Sequence, residues 1–215
     1  LVAYNTSIPQ LPDPTTTPVG PGWASQTIYD IAPVQSTELN GGSTIAVYQG
    51  GNYWNISLSY NSMLPETYNE LGVFLSSLQG SASRFYVRFP DRANPKNGAW
   101  VGSGPQLGQG LITKINAQTI EVANRTSLGG TLVAGDYLKL SGNDRIYKVI
   151  KVENVSTSVR YTLHCVIDSP IDNTTELEPN EIKFKCVLVG DKPREEVTAS
   201  GLVQGFSLAL RGTVL

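Results

Sequence analysis

The residues of this chain whose types could do chemistry are one histidine, two cysteines and a few close carboxylate pairs. His164 stands beside Cys165 in an apolar, strand-like run. Successive side chains of a strand point to opposite faces, so these neighbours cannot form a nucleophile–base pair. A lone strand histidine is more often a satisfied core or surface residue than a ligand. Cys165 and Cys186 both fall in strand-like runs and read as buried thiols acting as small hydrophobes. A disulfide between them depends on whether their strands are neighbours, which spacing leaves open. Structural zinc sites use about four Cys, His or carboxylate ligands, which this inventory does not supply in the usual sets.

Asp168 with Asp172, Glu176 with Glu178, and Glu195 with Glu196 are the carboxylate pairs. Glycoside hydrolysis uses two such groups, but only where a fold sets their separation. Each of these pairs lies in a segment rich in solvated groups. The stretch Asp168–Glu178 lacks the spacing of an EF-hand loop for calcium. Gly108-Gln109-Gly110 and the glycines at 98–104 are not followed by Gly-Lys-Ser/Thr or by a helix that would receive a phosphate. Trp23, Trp54, Trp100 and ten tyrosines could build a sugar platform. Trp54 sits in an alternating strand and reads as core, whereas Trp100 stands in a Gly/Pro loop and is the candidate exposed contact. The expectation is a chain with no catalytic residues, no metal and no cofactor: not an enzyme.

The elements that carry these residues are mostly strands. The chain has 215 residues, 40% of them hydrophobic and 16% charged, so charge falls below the ~25% average. Ser, Thr, Asn, Gly and Gln replace it, which suits β-sheets and surfaces covered by other copies. The formal net charge is −2, and no basic patch points to nucleic acid or an anionic membrane. Lys183, Lys185, Lys192 and Arg194 are interleaved with Glu181, Asp191, Glu195 and Glu196 and read as a solvated face. No apolar run approaches the ~20 residues of a membrane span. The prolines and missing apolar stretch of Leu1–Gly22 do not resemble a signal peptide. The five Asn-X-Ser/Thr matches are of the kind chance supplies in such a composition.

Residues 1–24 hold Pro9, Pro12, Pro14, Pro18 and Pro21 and read as an extended arm. It is either loose or laid over a neighbouring subunit, with Ile8, Leu11, Val19 and Trp23 to bury. Strands are expected at Ile28–Ile31 and Ser43–Tyr48. Gly50-Gly51 should make a tight hairpin into Tyr53–Tyr60, where Trp54, Ile56 and Leu58 face the core. A helix is expected over Pro65–Gln79. Pro65 suits its first position, Tyr68, Leu71, Phe74, Leu75 and Leu78 form its packed stripe, and Gly80 is its left-handed cap. Phe85, Val87 and Phe89 are the inward residues of the next strand. A Gly/Pro loop at 91–110 then opens a second module of short strands, a small closed or half-closed barrel over 110–178. The strand Glu181–Val189, with Ile182, Phe184, Cys186 and Leu188 inward, and the last strand, with Phe206, Leu208 and Leu210, return to the first sheet. That makes 25–109 plus 179–215 one β-domain and 110–178 an insertion.

The order of these motifs is specific. Gln26-Thr-Ile-Tyr-Asp30 precedes the Asn40-Gly41-Gly42 turn. The strand with Trp54 follows, then the helix with Phe74-Leu75-Ser-Ser-Leu78-Gln-Gly80. Phe85-Tyr-Val-Arg-Phe-Pro90 and Pro95-Lys-Asn-Gly98 come next. Downstream, Leu132-Val-Ala-Gly-Asp-Tyr137 leads to Arg145-Ile-Tyr-Lys-Val149 and Ile167-Asp-Ser-Pro170. Over roughly 25–190 this resembles the distal tail proteins of long-tailed bacteriophages. The sequence departs from that pattern at Pro95-Lys-Asn-Gly98 and in its closing Thr213-Val-Leu215. The resemblance implies a mainly β, tail-tube-like barrel or sandwich with one flanking helix and an inserted small β-barrel module. It implies a structural virion protein at the tail tip, made in the host cytoplasm. Copies would form a ring of six joining the tail tube protein to hub and baseplate proteins, with the tape-measure protein a further neighbour. The alternative is a carbohydrate- or receptor-binding β-module of the tail tip.

Overall fold

A computed structural model describes residues 8–17, 19–38, 41–48, 51–78, 82–97, 112–123, 132–168, 170–172, 174–190 and 195–212. Trp100, Gly80 and the glycine-rich stretch 98–110 lie outside the described residues. The fold is mainly β with one helix. In chain order the elements are β1 (Ser25–Ile31), β2 (Val34–Glu38), β3 (Thr44–Tyr48), β4 (Tyr53–Ser59), α1 (Pro65–Ser77), β5 (Arg84–Arg88), β6 (Ile112–Asn116) and β7 (Thr119–Val122). Then follow β8 (Tyr137–Leu140), β9 (Ile146–Val155), β10 (Ser158–Leu163), β11 (Leu177–Glu178), β12 (Lys183–Leu188) and β13 (Ser207–Gly212). The chain forms two compact units, 1–87 with 185–214, and 88–184. It passes from the first to the second within β5 and returns within β12.

The first unit is built on the sheet β1-β4-β13-β12-β5. β4 lies between β1 and β13, with Ile56 opposite both Ile28 and Leu210. Its alternation resolves into a buried Trp54, Ile56, Leu58 and Tyr60. Phe85, Val87, Cys186, Leu188, Leu208 and Leu210 are buried in the same unit. Helix α1 starts at Pro65 without a side-chain cap and carries Glu66 in its first turn. Tyr68, Leu71, Leu75 and Leu78 are buried, while Phe74 is half-buried and meets Phe85 edge-on at 5.5 Å. The helix ends at Ser77, short of Gln79: Leu78 is already extended, and its N–H donates to the Leu75 carbonyl.

Two local readings are corrected. Ser43–Tyr48 does not form a hairpin with Tyr53–Tyr60 across Gly50-Gly51. β3 pairs instead with β2 in a separate two-stranded ribbon, and β4 pairs with β1 and β13. The turn that works as a hairpin is the earlier one, where Gly42 takes a positive φ of 75° that other residues resist. Lys185 is not on a solvated face but buried within β12, a strand with neighbours on both sides; a lysine in such a place lays its methylenes along apolar surface.

The second unit is a six-stranded antiparallel sheet, β11-β8-β9-β10-β7-β6. β9 pairs with β8 through Ile146–Lys148 and with β10 through the rest of its length. All six strands send residues into one core, among them Ile112, Ile120, Leu138, Tyr147, Tyr161 and Leu177. A sheet whose strands share one core must curve around it, the geometry of a small barrel. Phe89, Ile182 and Phe184 are also buried here; Phe184 contacts Phe89 at 5.4 Å and Tyr137 at 5.6 Å, both edge-on.

Candidate assembly surfaces

Most of the side chains with chemical potential lie in the second unit. The His164 Nδ1 accepts the backbone N–H of Lys148 at 3.0 Å, and the His164 backbone N–H donates to the Lys148 carbonyl at 2.9 Å. That geometry makes the ring a strand-end clamp rather than a base aimed at a cleft. Cys165 and Cys186 are both buried and are not joined in a disulfide; burial drives the Cys186 thiol far above its usual value.

Asp168 is not simply solvated, contrary to the reading from sequence. The buried Arg145 guanidinium forms an ion pair with it, and the Tyr147 hydroxyl donates to it at 3.0 Å. Burial acts to raise the Asp168 pKa, but the Tyr147 hydrogen bond and the Arg145 charge outweigh it and hold the carboxyl below its ordinary value. The signal available in sequence was the spacing of Arg145 and Tyr147, two apart at the start of one strand, with an aspartate beyond the end of the next. Asp172 accepts from the N–H groups and hydroxyls of its own turn at Thr174 and Thr175. Glu178 pairs with Lys139 on the neighbouring strand at 3.1 Å, while Glu195 and Glu196 are exposed. Among the described residues no group of three or more His, Cys, Asp or Glu is placed to hold a metal ion.

The surfaces that stand out are in the first unit. The β2–β3 ribbon pairs Gln35 with Val47 and Thr37 with Ile45 on one face, and Val34 and Ala46 lie on the other. Val34, Ile45 and Val47 are 54%, 50% and 58% exposed, and the ribbon belongs to no larger sheet. An isolated two-stranded hairpin is marginal in water, and three strands or a packed face are needed for independent stability. β-Branched residues left outside on both faces therefore mark a surface made for covering. β1 adds the edge of the five-stranded sheet, from which the ribbon directly continues. On the helix, Val73 points outward and is largely exposed.

The other edge, β5, is covered by the chain's own N-terminal segment. The Leu11 N–H donates to the Tyr86 carbonyl and the Tyr86 N–H to the Pro9 carbonyl, both at 2.8 Å. Leu11 is fully buried beneath it, while Val19 stays exposed. Residues 9–11 thus pack on the edge of their own unit.

A family model described as "Distal tail protein pb9, A domain, N-terminal" matches residues 11–91. Along 213 residues the chain is 28% identical to the distal tail protein pb9 of Escherichia phage T5, covering 94% of this chain and 98% of that one. The resemblance to phage distal tail proteins read from the motifs between 25 and 190 is borne out, and it extends over nearly the whole chain.

Proposed function

We propose, from this likeness to phage distal tail proteins, that the chain is a structural component of a phage tail and not an enzyme. Copies form a closed ring, of six by the resemblance, at the distal end of the tail. The ring joins the tail tube to the hub or baseplate, with the tape-measure protein nearby. The tail-tube-like β-domain forms the ring, and the inserted module at about 110–178 decorates its outside. The protein acts in the virion after synthesis in the host cytoplasm. No helix among the described residues is long and apolar enough to cross a membrane.

The observation that carries this reading is the β2–β3 ribbon, apolar and exposed on both faces. A head-to-tail ring supplies a cover for every copy of such a ribbon and leaves none over, because the contacts close. It also disposes of sheet edges, which attract unwanted pairing when left open. The internal use of the polar side chains fits a part that holds shape rather than turning over substrate.

Purified protein imaged by negative-stain electron microscopy, with light scattering at micromolar concentration, tests the proposal. Closed rings of uniform diameter are expected, and the protein should be detected at the tail tip of the particles. A strict monomer in solution together with absence from purified virions would overturn it.

A further inference from the structure

Where the N-terminal segment packs on the first unit, two buried polar atoms, one on Asp13 of the segment and one on Tyr60 directly after β4, are in the wrong place for a permanent contact. Asp13 is 1% exposed and Tyr60 3% exposed. The Asp13 Oδ1 accepts from the N–H and hydroxyl of Thr15, which ties the turn together, but its Oδ2 is buried without a hydrogen-bond partner. The Tyr60 hydroxyl is buried without one as well. The two are close enough to interact: burial first, and then the negative charge of Asp13, hold the Tyr60 phenol far above its usual value. The Tyr60 ring is fixed where it is, stacked on Phe206 at 5.0 Å. The turn is equally fixed, since the Gly20 N–H donates to the Asp13 carbonyl and a Cβ at Gly20 would meet the Pro12 backbone at 2.5 Å.

Against this, among the described residues, stand the burial of Leu11 and one isolated parallel bridge, Gln10 with Tyr86, made through the two hydrogen bonds at Tyr86. Buried polar atoms left unpaired disfavour the state that buries them, and each recovers its hydrogen bond to water on release.

We propose that residues 8–13 are a releasable clasp over the β5 edge, weakened by the buried Asp13 carboxylate oxygen and Tyr60 hydroxyl. The clasp keeps that edge from pairing in the free chain. Its release opens a strand edge to a second copy of this chain, whose β2–β3 ribbon offers strands for pairing. This last step rests on the ring reading above; the clasp itself does not.

Hydrogen exchange on the intact chain separates the two. The amides of Leu11 and Tyr86 report the clasp, and the Leu58 amide in β4 reports the sheet. In wild type the clasp amides should exchange far faster than Leu58. Tyr60→Phe removes one loose polar atom and should protect Leu11 and Tyr86 about tenfold more, with Leu58 unchanged. Leu11→Ala should do the reverse. Clasp amides as slow as Leu58 in wild type, or no added protection in Tyr60→Phe, would overturn the clasp. In assembly followed by light scattering, Leu11→Ala should shorten the lag and Tyr60→Phe lengthen it. Equal lags in all three proteins would overturn the masking role. A wild type that never assembles would count against the ring reading alone, because exchange still decides the clasp.

Discussion

β3 and β4 are neighbours in sequence and similar in apolar content, Thr-Ile-Ala-Val-Tyr against Tyr-Trp-Asn-Ile-Ser-Leu-Ser. Their fates are opposite. β4 lies between two strands and buries Trp54, Ile56 and Leu58, whereas β3 has one partner and leaves Ile45 and Val47 outside. The difference is not propensity, since both strands are rich in residues that favour sheets. It lies in what stands next to them. β4 has β1, β13 and a packed face; β3 has β2 alone. An apolar strand that the chain does not cover is evidence about assembly, because the same residues would be covered if they served only the fold.

The comparison breaks most sharply at β4. Ile56 is fully buried opposite Ile28 and Leu210. Ile56→Ala should cost about 4 kcal/mol of stability, by lost burial and a cavity that packed neighbours fill poorly. Urea denaturation followed by Trp54 fluorescence measures it. A loss under about 1 kcal/mol would mean the first unit's core is loose, and the contrast with β3 would then be one of degree.

A smaller effect is expected from the ion pair in the second unit. Arg145 is 6% exposed at its side chain and Asp168 44%. Asp168→Asn leaves a buried guanidinium without its counter-charge, and solvent at Asp168 reduces the penalty, so about 2 kcal/mol is expected. The pH dependence follows from the lowered Asp168 pKa. A depressed carboxylate contributes its stabilisation above the unfolded value of about 3.9 and loses it as pH falls through the folded value. The gap between wild type and Asp168→Asn should therefore be steady above about pH 5 and close below about pH 4. Urea midpoints across that range, read by near-ultraviolet circular dichroism, test this. A gap that stays constant to pH 2 would assign the loss to packing rather than to charge.

Much of the fold was legible because single strands and the helix carry their own patterns. The alternation in Tyr53–Tyr60 and the helical spacing from Tyr68 to Leu78 are local, and so is the short turn between β6 and β7. Pairing was legible only in part. Asn-Gly-Gly and Gly-Gly turns look alike in one dimension, and the second does not join the strands on either side of it. β2 went unread because Val34-Gln-Ser-Thr-Glu38 alternates weakly and follows a proline, and only its pairing with β3 makes it a strand. The Asp168 network escaped for a different reason: its members come together through β9 and β10, and residue type alone marks an aspartate in a loop as solvated. The surfaces were the least legible, because exposure is a property of what fails to pack. The exposure of Ile45 and Val47 on one face of the ribbon and of Val34 on the other appears only once every other strand has found its place.

The smallest effect on stability should carry the largest effect on assembly. Ile45→Ser with Val47→Ser changes two residues that pack on nothing within the described chain's larger sheets. Surface substitutions away from packed features stay within about 0.5 kcal/mol, so the doubly substituted chain should unfold at nearly the wild-type urea concentration. Covered in a ring, the same two side chains would lose the burial that holds copies together, ~1.5–3 kcal/mol for each large aliphatic fully removed from water. Repeated at every contact of a closed ring, that loss should turn assembled protein into monomer at concentrations where wild type is assembled. Sedimentation velocity on both proteins reads the result. Full assembly by the double variant would show that the ribbon's exposure serves something other than contact between copies. A stability loss as large as that of Ile56→Ala would show that the ribbon is packed in solution, and β3 and β4 would no longer differ in kind.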